Sequence, residues 1–313
     1  MRKKILYVVH RYFPYSGGSE YYVKNMAEET LARGHEVWVY THQHQGDQNG
    51  VKVTSELGVL ATRFDLIVVH GDSTAQNDVL QNIDKIPSPV LYMIIKPSLT
   101  DYAIKGLECA KYVSWSTQFD KEFLVKYISS DRMVYVPHGI PASQLGVQGF
   151  KKKYNIEGKM ILSCGGFWKH KGHLELVEAF YDSGIDGTLV ITGYWDDRRF
   201  RPADSARVRS FLFEDPIEPI NAISEADLYV MNSFEEGFGL VLLESMLNKT
   251  SWISRPVGKA PELSAYGQIY HNRDELVQIL RHFNESKNLS VGYKYVTENH
   301  MIKNTVDAIL QCA

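Results

Sequence analysis

Residues 4–9 read KILYVV, a nearly unbroken apolar run of β-formers. Such a run is what a strand buried on both faces of a parallel sheet is expected to show. After RYFPYSGGSE, apolar positions recur at helical spacing (Val23, Met26, Ala27, Thr30 and Leu31), and Gly34 after Arg33 supplies a stop. EVWVYT follows as the next strand. Strand, glycine loop, helix, strand is the opening crossover of a doubly wound α/β domain. Further strands are expected at FDLIVVH (64–70), PVLYMII (89–95), YVSWS (112–116) and MVYV (133–136), with helices between them. Gly17 and Gly18 stand directly before the first helix, with Ser19 as its expected N-cap and Glu20 in its first turn. No G-x-G-x-x-G occurs there, so the loop is not a dinucleotide fingerprint.

VPHGIP (136–141) reads as a domain exit, and the aperiodic ASQLGVQGFK that follows reads as a linker over 141–151. A second α/β unit opens at KMILSC (159–164) and continues through a helix with apolar Leu174, Leu176, Val177 and Phe180, then GTLVIT (187–192), VRSFLF (208–213) and TSWIS (250–254). From about Asp274 to Cys312 the chain reads as helices. The expected fold class is therefore α/β with two doubly wound domains, divided as residues 1–145, 146–295 and a final segment 296–313.

At 313 residues with 44% hydrophobic content the chain has the size and composition of a two-domain globular protein. A net charge of −3 gives no reason to expect nucleic acid as a partner. The apolar run after MRKK is ended by His10 and Arg11, too early for a secretory signal, and no stretch approaches membrane-spanning length. Cys109, Cys164 and Cys312 are widely spaced and odd in number, which points to neither a disulfide framework nor a zinc site. A cytoplasmic protein is expected, and the N-x-S/T triplets at Asn248, Asn284 and Asn288 then read as coincidence.

One stretch carries most of the chemistry. FEEGFGLVLLESMLN (234–248) passes from two carboxylates through Gly237, Phe238 and Gly239 into an apolar helix that carries Glu244. Glycines at 237 and 239 admit a ligand close to the backbone, and the amides from Gly237 to Leu240 and Val241, at a helix start, attract an anion. Were the interval helical throughout, Glu236 and Glu244 would be about 12 Å apart. That span suits a diphosphate flanked by hydroxyl-bearing sugars, each accepted by an ionised Glu. The plainer reading of the same residues is a helix start stabilised by nearby acids.

The segment strongly resembles the Glu-x7-Glu signature of retaining glycosyltransferases of family 4, which have the GT-B fold and use sugar nucleotides. The resemblance extends over nearly the whole chain. GGFWKHKGHLELVEAF is similar to the family's Gly-Arg-Leu-x-x-x-Lys-Gly motif: Gly165 is retained, Gly166 replaces the arginine, and Lys171 aligns with the lysine that holds the leaving diphosphate. Lys169, His170 or Arg255 are candidates to replace the lost guanidinium. SEADLYVMNSFEEGFG follows the family pattern with Asn232 in place of Pro, and the run from Arg255 through Lys259 is similar to the loop that closes around the donor. The resemblance implies two Rossmann-like domains facing across a cleft and a last helix that returns to the first domain. It also implies catalytic roles for Lys171 and Glu236, and donor contacts from Gly17, Gly18, Gly165, Gly166, Gly193, Phe213, the residues from Gly237 to Val241, and Glu244. Acceptor candidates are Tyr15, His70 and Lys96, where relatives place a His near Lys96; Tyr12 and Phe13 offer stacking faces or pack the loop.

The expected activity is metal-independent hexosyl transfer from a nucleoside-diphosphate sugar to a glycan, lipid-linked or small-molecule acceptor, with membrane contact expected only for a lipid-linked acceptor. No cofactor is expected, and the His170-x-x-His173 pair lacks a third ligand for zinc. The alternatives are a non-catalytic partner subunit, suggested by Gly166 and Lys96, and a sugar-nucleotide epimerase or a phosphorylase of the same fold.

Overall fold

The structure is a computed structural model that describes residues 1–14, 17–43, 45–71, 73–193, 197–213, 215–283 and 289–313. Tyr15, Asn284 and Asn288, named above, lie outside the described residues. The chain forms two compact units, Met1–Pro141 with His300–Ala313, and Ala142–Asn299.

The first unit holds β1 (Lys4–Val8), α1 (Gly18–Ala32), β2 (Glu36–Tyr40), β3 (Gly46–Gln48), β4 (Val51–Thr54), β5 (Leu66–His70), α2 (Thr74–Gln81), β6 (Val90–Met93), α3 (Asp101–Cys109), β7 (Tyr112–Trp115), α4 (Gln118–Leu124) and β8 (Met133–Tyr135). Its sheet runs β3-β4-β2-β1-β5-β6-β7-β8 and is parallel throughout except at the β3–β4 hairpin. That hairpin was not legible in the sequence, because HQGDQNGVKV is polar on the side that builds β3. Leu6, Val8, Ile67 and Val69 are fully buried in one core with Val79 and Leu80 of α2. Each such side chain contributes about 1.5–3 kcal/mol by leaving water. The expected cap shifts by two residues: α1 starts at Gly18, with Gly17 rather than Ser19 at the N-cap.

The second unit holds α5 (Phe150–Lys153), β9 (Met160–Cys164), α6 (His173–Ser183), β10 (Thr188–Gly193), β11 (Val208–Leu212), α7 (Ile217–Glu225), β12 (Leu228–Met231), α8 (Leu240–Leu247), β13 (Trp252–Ser254), β14 (Gln268–Ile269), α9 (Arg273–Arg281) and α10 (Leu289–Asn299). Its parallel sheet runs β11-β10-β9-β12-β13-β14, so the strand order reverses at β9, the kind of switch point at which open α/β sheets form a ligand crevice outside the carboxyl ends of the strands.

The segment expected to be a free linker is anchored to the second unit. The Gly146 amide donates to Asn248 Oδ1 (2.8 Å) and the Val147 amide to Asn221 Oδ1 (2.8 Å), while the amides of Gly149, Phe150 and Lys151 all donate to the Glu225 carboxylate. Lack of periodicity there reflects side-chain capping of its amides, not slack chain. At the other end the chain returns to the first unit from His300, whose Nδ1 meets the His138 carbonyl at 2.7 Å, and continues as α11 (Ile302–Gln311) against α1. Among the described residues no helix is long and apolar enough to cross a membrane.

Candidate active site

In the second unit the informative residues gather where the loops after β9 and β12 leave the sheet. The turn Lys169–Lys171 ends at Gly172, which adopts a left-handed conformation (φ 66°) and starts α6. Three bonds tie this turn to the segment after β12. The Phe234 amide donates to the His170 carbonyl (2.7 Å), Asn232 Nδ2 donates to the Gly172 carbonyl (2.8 Å), and Lys171 Nζ donates to Glu236 Oε1 (2.6 Å). Lys171 and Glu236 keep 19% and 15% of their side-chain surface in solvent, so the pair is shielded yet open to a ligand. The Lys171 stem runs beside Gly165, where a Cβ would stand 3.4 Å from its Cδ and Cε.

Gly239 caps α8 with φ 87° and ψ 55°, a left-handed conformation that glycine adopts without a steric cost. No side chain caps this helix, which begins at Leu240, so its first amides remain for a ligand. The interval from Glu236 to Glu244 is therefore a turn followed by helix, and the 12 Å estimate for a continuous helix does not apply. Phe238 is buried beneath the turn, and its carbonyl accepts from the Lys259 amide (2.8 Å). Gly258 fits against it only because it lacks a Cβ, which would meet the Phe238 carbonyl oxygen at 2.5 Å. Glu244 retains partial solvent contact, but burial pushes its pKa up to about 7, against a lesser, opposing hydrogen bond from Gln144. Close by, burial raises the Cys164 thiol to about 12, which keeps it protonated and unreactive.

Gly166 is buried and its carbonyl accepts from the Trp168 amide (2.8 Å). Gly193 packs so tightly that a Cβ would meet the Gly165 carbonyl and the Phe167 ring, each at 2.8 Å. Phe213 donates its amide to the Gly193 carbonyl (3.3 Å) and stacks on Phe211, with ring centroids 5.4 Å apart.

Arg255 does not stand in for the missing arginine of the Gly166 position. Its guanidinium is paired with Glu175, bonded to Asn232 Oδ1 (3.2 Å) and laid over the Phe234 ring (4.6 Å). His173 and His170 do not act as a pair, since His170 is exposed while His173 is buried with its ring edge-on to Phe167 (5.6 Å). Burial, then the charge of Lys171, lowers the His173 pKa to about 4. The sequence showed Asn232 only as a departure from a motif and gave no sign of Glu175 and Tyr270, which bond to Asn232, the residue that in turn holds the Gly172 carbonyl beside Lys171.

In the first unit the glycine loop has a steric cause of its own. A Cβ on Gly17 would lie 2.2 Å from Glu20 Oε2, so this glycine makes room for a buried carboxylate. Glu20 Oε1 pairs with Arg11 Nη2 (2.8 Å) and His10 Nε2 (3.2 Å). Burial opposes its charge, yet the His10 bond, a backbone bond and the two cations prevail and lower its pKa. Gly18 faces open space. His70 is buried at the end of β5 with its ring centroid 5.2 Å from that of Tyr22, which is in turn 4.8 Å from His138. Burial drives the His70 pKa to about 4, so the ring is neutral at physiological pH. Lys96 is exposed, three residues beyond the end of β6 rather than on it.

Residues 148–294, nearly the whole second unit, match the family of glycosyl transferases group 1. The second unit is a group 1 glycosyltransferase domain. The chain is 22% identical over 269 residues to the processive diacylglycerol alpha-glucosyltransferase of Acholeplasma laidlawii, covering 76% of the present chain and 75% of that protein. Its fold is shared with the sucrose-phosphate synthase of Thermosynechococcus elongatus (17% identity, TM-score 0.80, 99% and 98% of the two chains). It is shared equally with Anabaena HepE, solved with UDP and glucose (15% identity, TM-score 0.80, 99% of each chain). The fold is GT-B, with two Rossmann-like domains.

Proposed function

We propose that this glycosyltransferase is a retaining, metal-independent member of family 4 that transfers a hexose from a UDP-sugar, with UDP-glucose as the first donor to test. The observation that carries the reading is the Lys171–Glu236 contact of 2.6 Å at the entrance to the uncapped helix α8. A compact cation and helix-start amides that no side chain caps are what a departing diphosphate needs, since transfer breaks the C1–O bond and leaves its electron pair on the phosphate. The pair with Glu236 keeps Lys171 shielded until the diphosphate takes the ammonium. Glu236 is then released to accept the hydroxyls of the hexose, and Glu244 those of the ribose. Phe213 and Gly193 border the place for the base. The choice of UDP draws on HepE, solved with UDP and glucose, and on the glucosyltransferase relative. The acceptor hydroxyl, of a glycan, a lipid or a small molecule, attacks C1 from the face that the diphosphate leaves, with His70 and Lys96 as the acceptor-side candidates. Contact with a membrane accompanies this reading only where the acceptor is a lipid.

The test is release of UDP from UDP-glucose by the wild-type protein and by Lys171→Ala and Glu236→Ala, in buffer with a chelator, with a panel of UDP-, GDP- and dTDP-sugars in parallel. Turnover by the wild type, its survival in chelator and its loss in both folded variants are expected. Wild-type rates in either variant contradict the site, and a wild-type protein that neither binds nor turns over any sugar nucleotide is the partner-subunit alternative instead.

A further inference from the structure

We infer that Asn232 is a positioning residue for the transfer step: it suspends the turn that carries Lys171 from the end of β12 and so sets where the ammonium stands relative to Glu236. The inference rests on the reading of Lys171 and Glu236 given above.

Asn232 is almost completely buried one residue beyond β12, and both ends of its amide are used. Nδ2 donates to the Gly172 carbonyl (2.8 Å) and more weakly to Glu175 Oε1 (3.4 Å). Oδ1 accepts from Tyr270 Oη (2.6 Å) and Arg255 Nε (3.2 Å). Arg255 closes the ring by pairing with Glu175, which lies on α6 just after the turn. The backbone fits this arrangement as closely as the side chains do. A Cβ on Gly172 would stand 2.5 Å from the Asn232 carbonyl oxygen and 2.8 Å from its Nδ2.

Only one of these bonds reaches the residue next to Lys171. Tyr270 and Arg255 both donate to Oδ1, so the Arg255 bond alone suffices to keep the Asn232 amide in its orientation, and Nδ2 then fixes the Gly172 carbonyl. This division gives the experiment its control. Asn232→Ala and Asn232→Asp both remove the donor to Gly172, whereas Tyr270→Phe removes a buried bond of the same network and leaves that donor in place. An ammonium displaced by about 1 Å from a leaving diphosphate costs on the order of 100-fold in rate. The loss falls on the step in which negative charge gathers on the diphosphate, so it is read in kcat and not in KM.

The measurements are kcat and KM for UDP-glucose, thermal midpoint and UDP affinity by calorimetry, for the wild type, both Asn232 variants, Tyr270→Phe and Lys171→Ala. Both Asn232 variants are expected to lose about 100-fold in kcat with KM changed by no more than a few-fold. Tyr270→Phe is expected to lower the thermal midpoint while kcat stays within a few-fold of wild type. Wild-type kcat in a folded Asn232 variant, with Lys171→Ala inactive, overturns the inference and leaves the reading of Lys171 intact. Activity that falls in step with the thermal midpoint across Asn232 and Tyr270 variants alike overturns it as well, since the network is then only structural. Wild-type kcat in Lys171→Ala removes the reading on which the inference rests.

Discussion

Replacing Glu244 by Gln should make the protein more stable at alkaline pH and a poorer binder of nucleotide, two effects with one origin. The carboxyl group titrates near 4.5 in the unfolded chain and at about 7 in the folded one, chiefly because burial disfavours its charge. Since the folded state binds the proton more tightly, this group costs nothing below pH 4.5. The cost grows as pH rises from 4.5 to 7 and is complete above that. A shift of this size corresponds to about 3 kcal/mol, which partial solvent contact reduces to about 2 kcal/mol. Gln carries no charge to bury. At about 2–4 °C per kcal/mol for a domain of this size, Glu244→Gln should melt about 4–8 °C above the wild type at pH 8.5 and within about a degree of it at pH 4.5. With Glu244 accepting the ribose hydroxyls as proposed, the lost carboxylate should also weaken binding by about 1.5–3 kcal/mol, or about 10- to 100-fold in UDP affinity at pH 8. Wild-type affinity for UDP should itself climb with pH up to about 7 and then level off. Thermal melts at the two pH values and calorimetry with UDP decide the matter. An equal gap between the two proteins at both pH values refutes the burial argument, and unchanged UDP affinity refutes the role at the ribose.

Gly172→Ala combines a left-handed backbone (φ 66°) with a Cβ 2.5 Å from the Asn232 carbonyl, and should cost about 2–5 kcal/mol, read as a fall in the denaturant midpoint; a loss below about 1 kcal/mol would contradict the packing described. Gly17→Ala forces the Glu20 carboxylate from its place beside His10 and Arg11 and should cost about 1–3 kcal/mol in stability. An alanine variant as stable as the wild type would return this glycine to the phosphate role expected from the sequence.

The parallel strands were legible because a strand covered on both faces has to be apolar along its length, and KILYVV, FDLIVVH and PVLYMII are; each is observed, shortened by one to three residues. Two departures had local causes that spacing does not reveal. The segment after Pro141 lacks periodicity because Asn221, Glu225 and Asn248 cap its amides from far along the chain. Gly17 precedes a helix for the sake of Glu20, a contact that only side-chain packing creates. In the site, Lys171 and Glu236 were each visible in a motif, while their mutual contact was not, since 65 residues separate them. Arg255, in the loop after β13, looked available to a phosphate because its partner Glu175 lies far away in sequence, on α6. The amide ring around Asn232 was out of reach for the same reason: Gly172, Glu175, Tyr270 and Arg255 come together only when β12, α6 and the loop after β13 are in place.

A crystal structure of the wild-type protein soaked with UDP-glucose addresses the central claim directly. The account predicts a phosphate oxygen within hydrogen-bond distance of Lys171 Nζ and of the first amides of α8, with the 2.6 Å contact to Glu236 opened and the Glu236 carboxylate turned to the hexose. A nucleotide bound elsewhere on the protein, with Lys171 still held by Glu236, would contradict it.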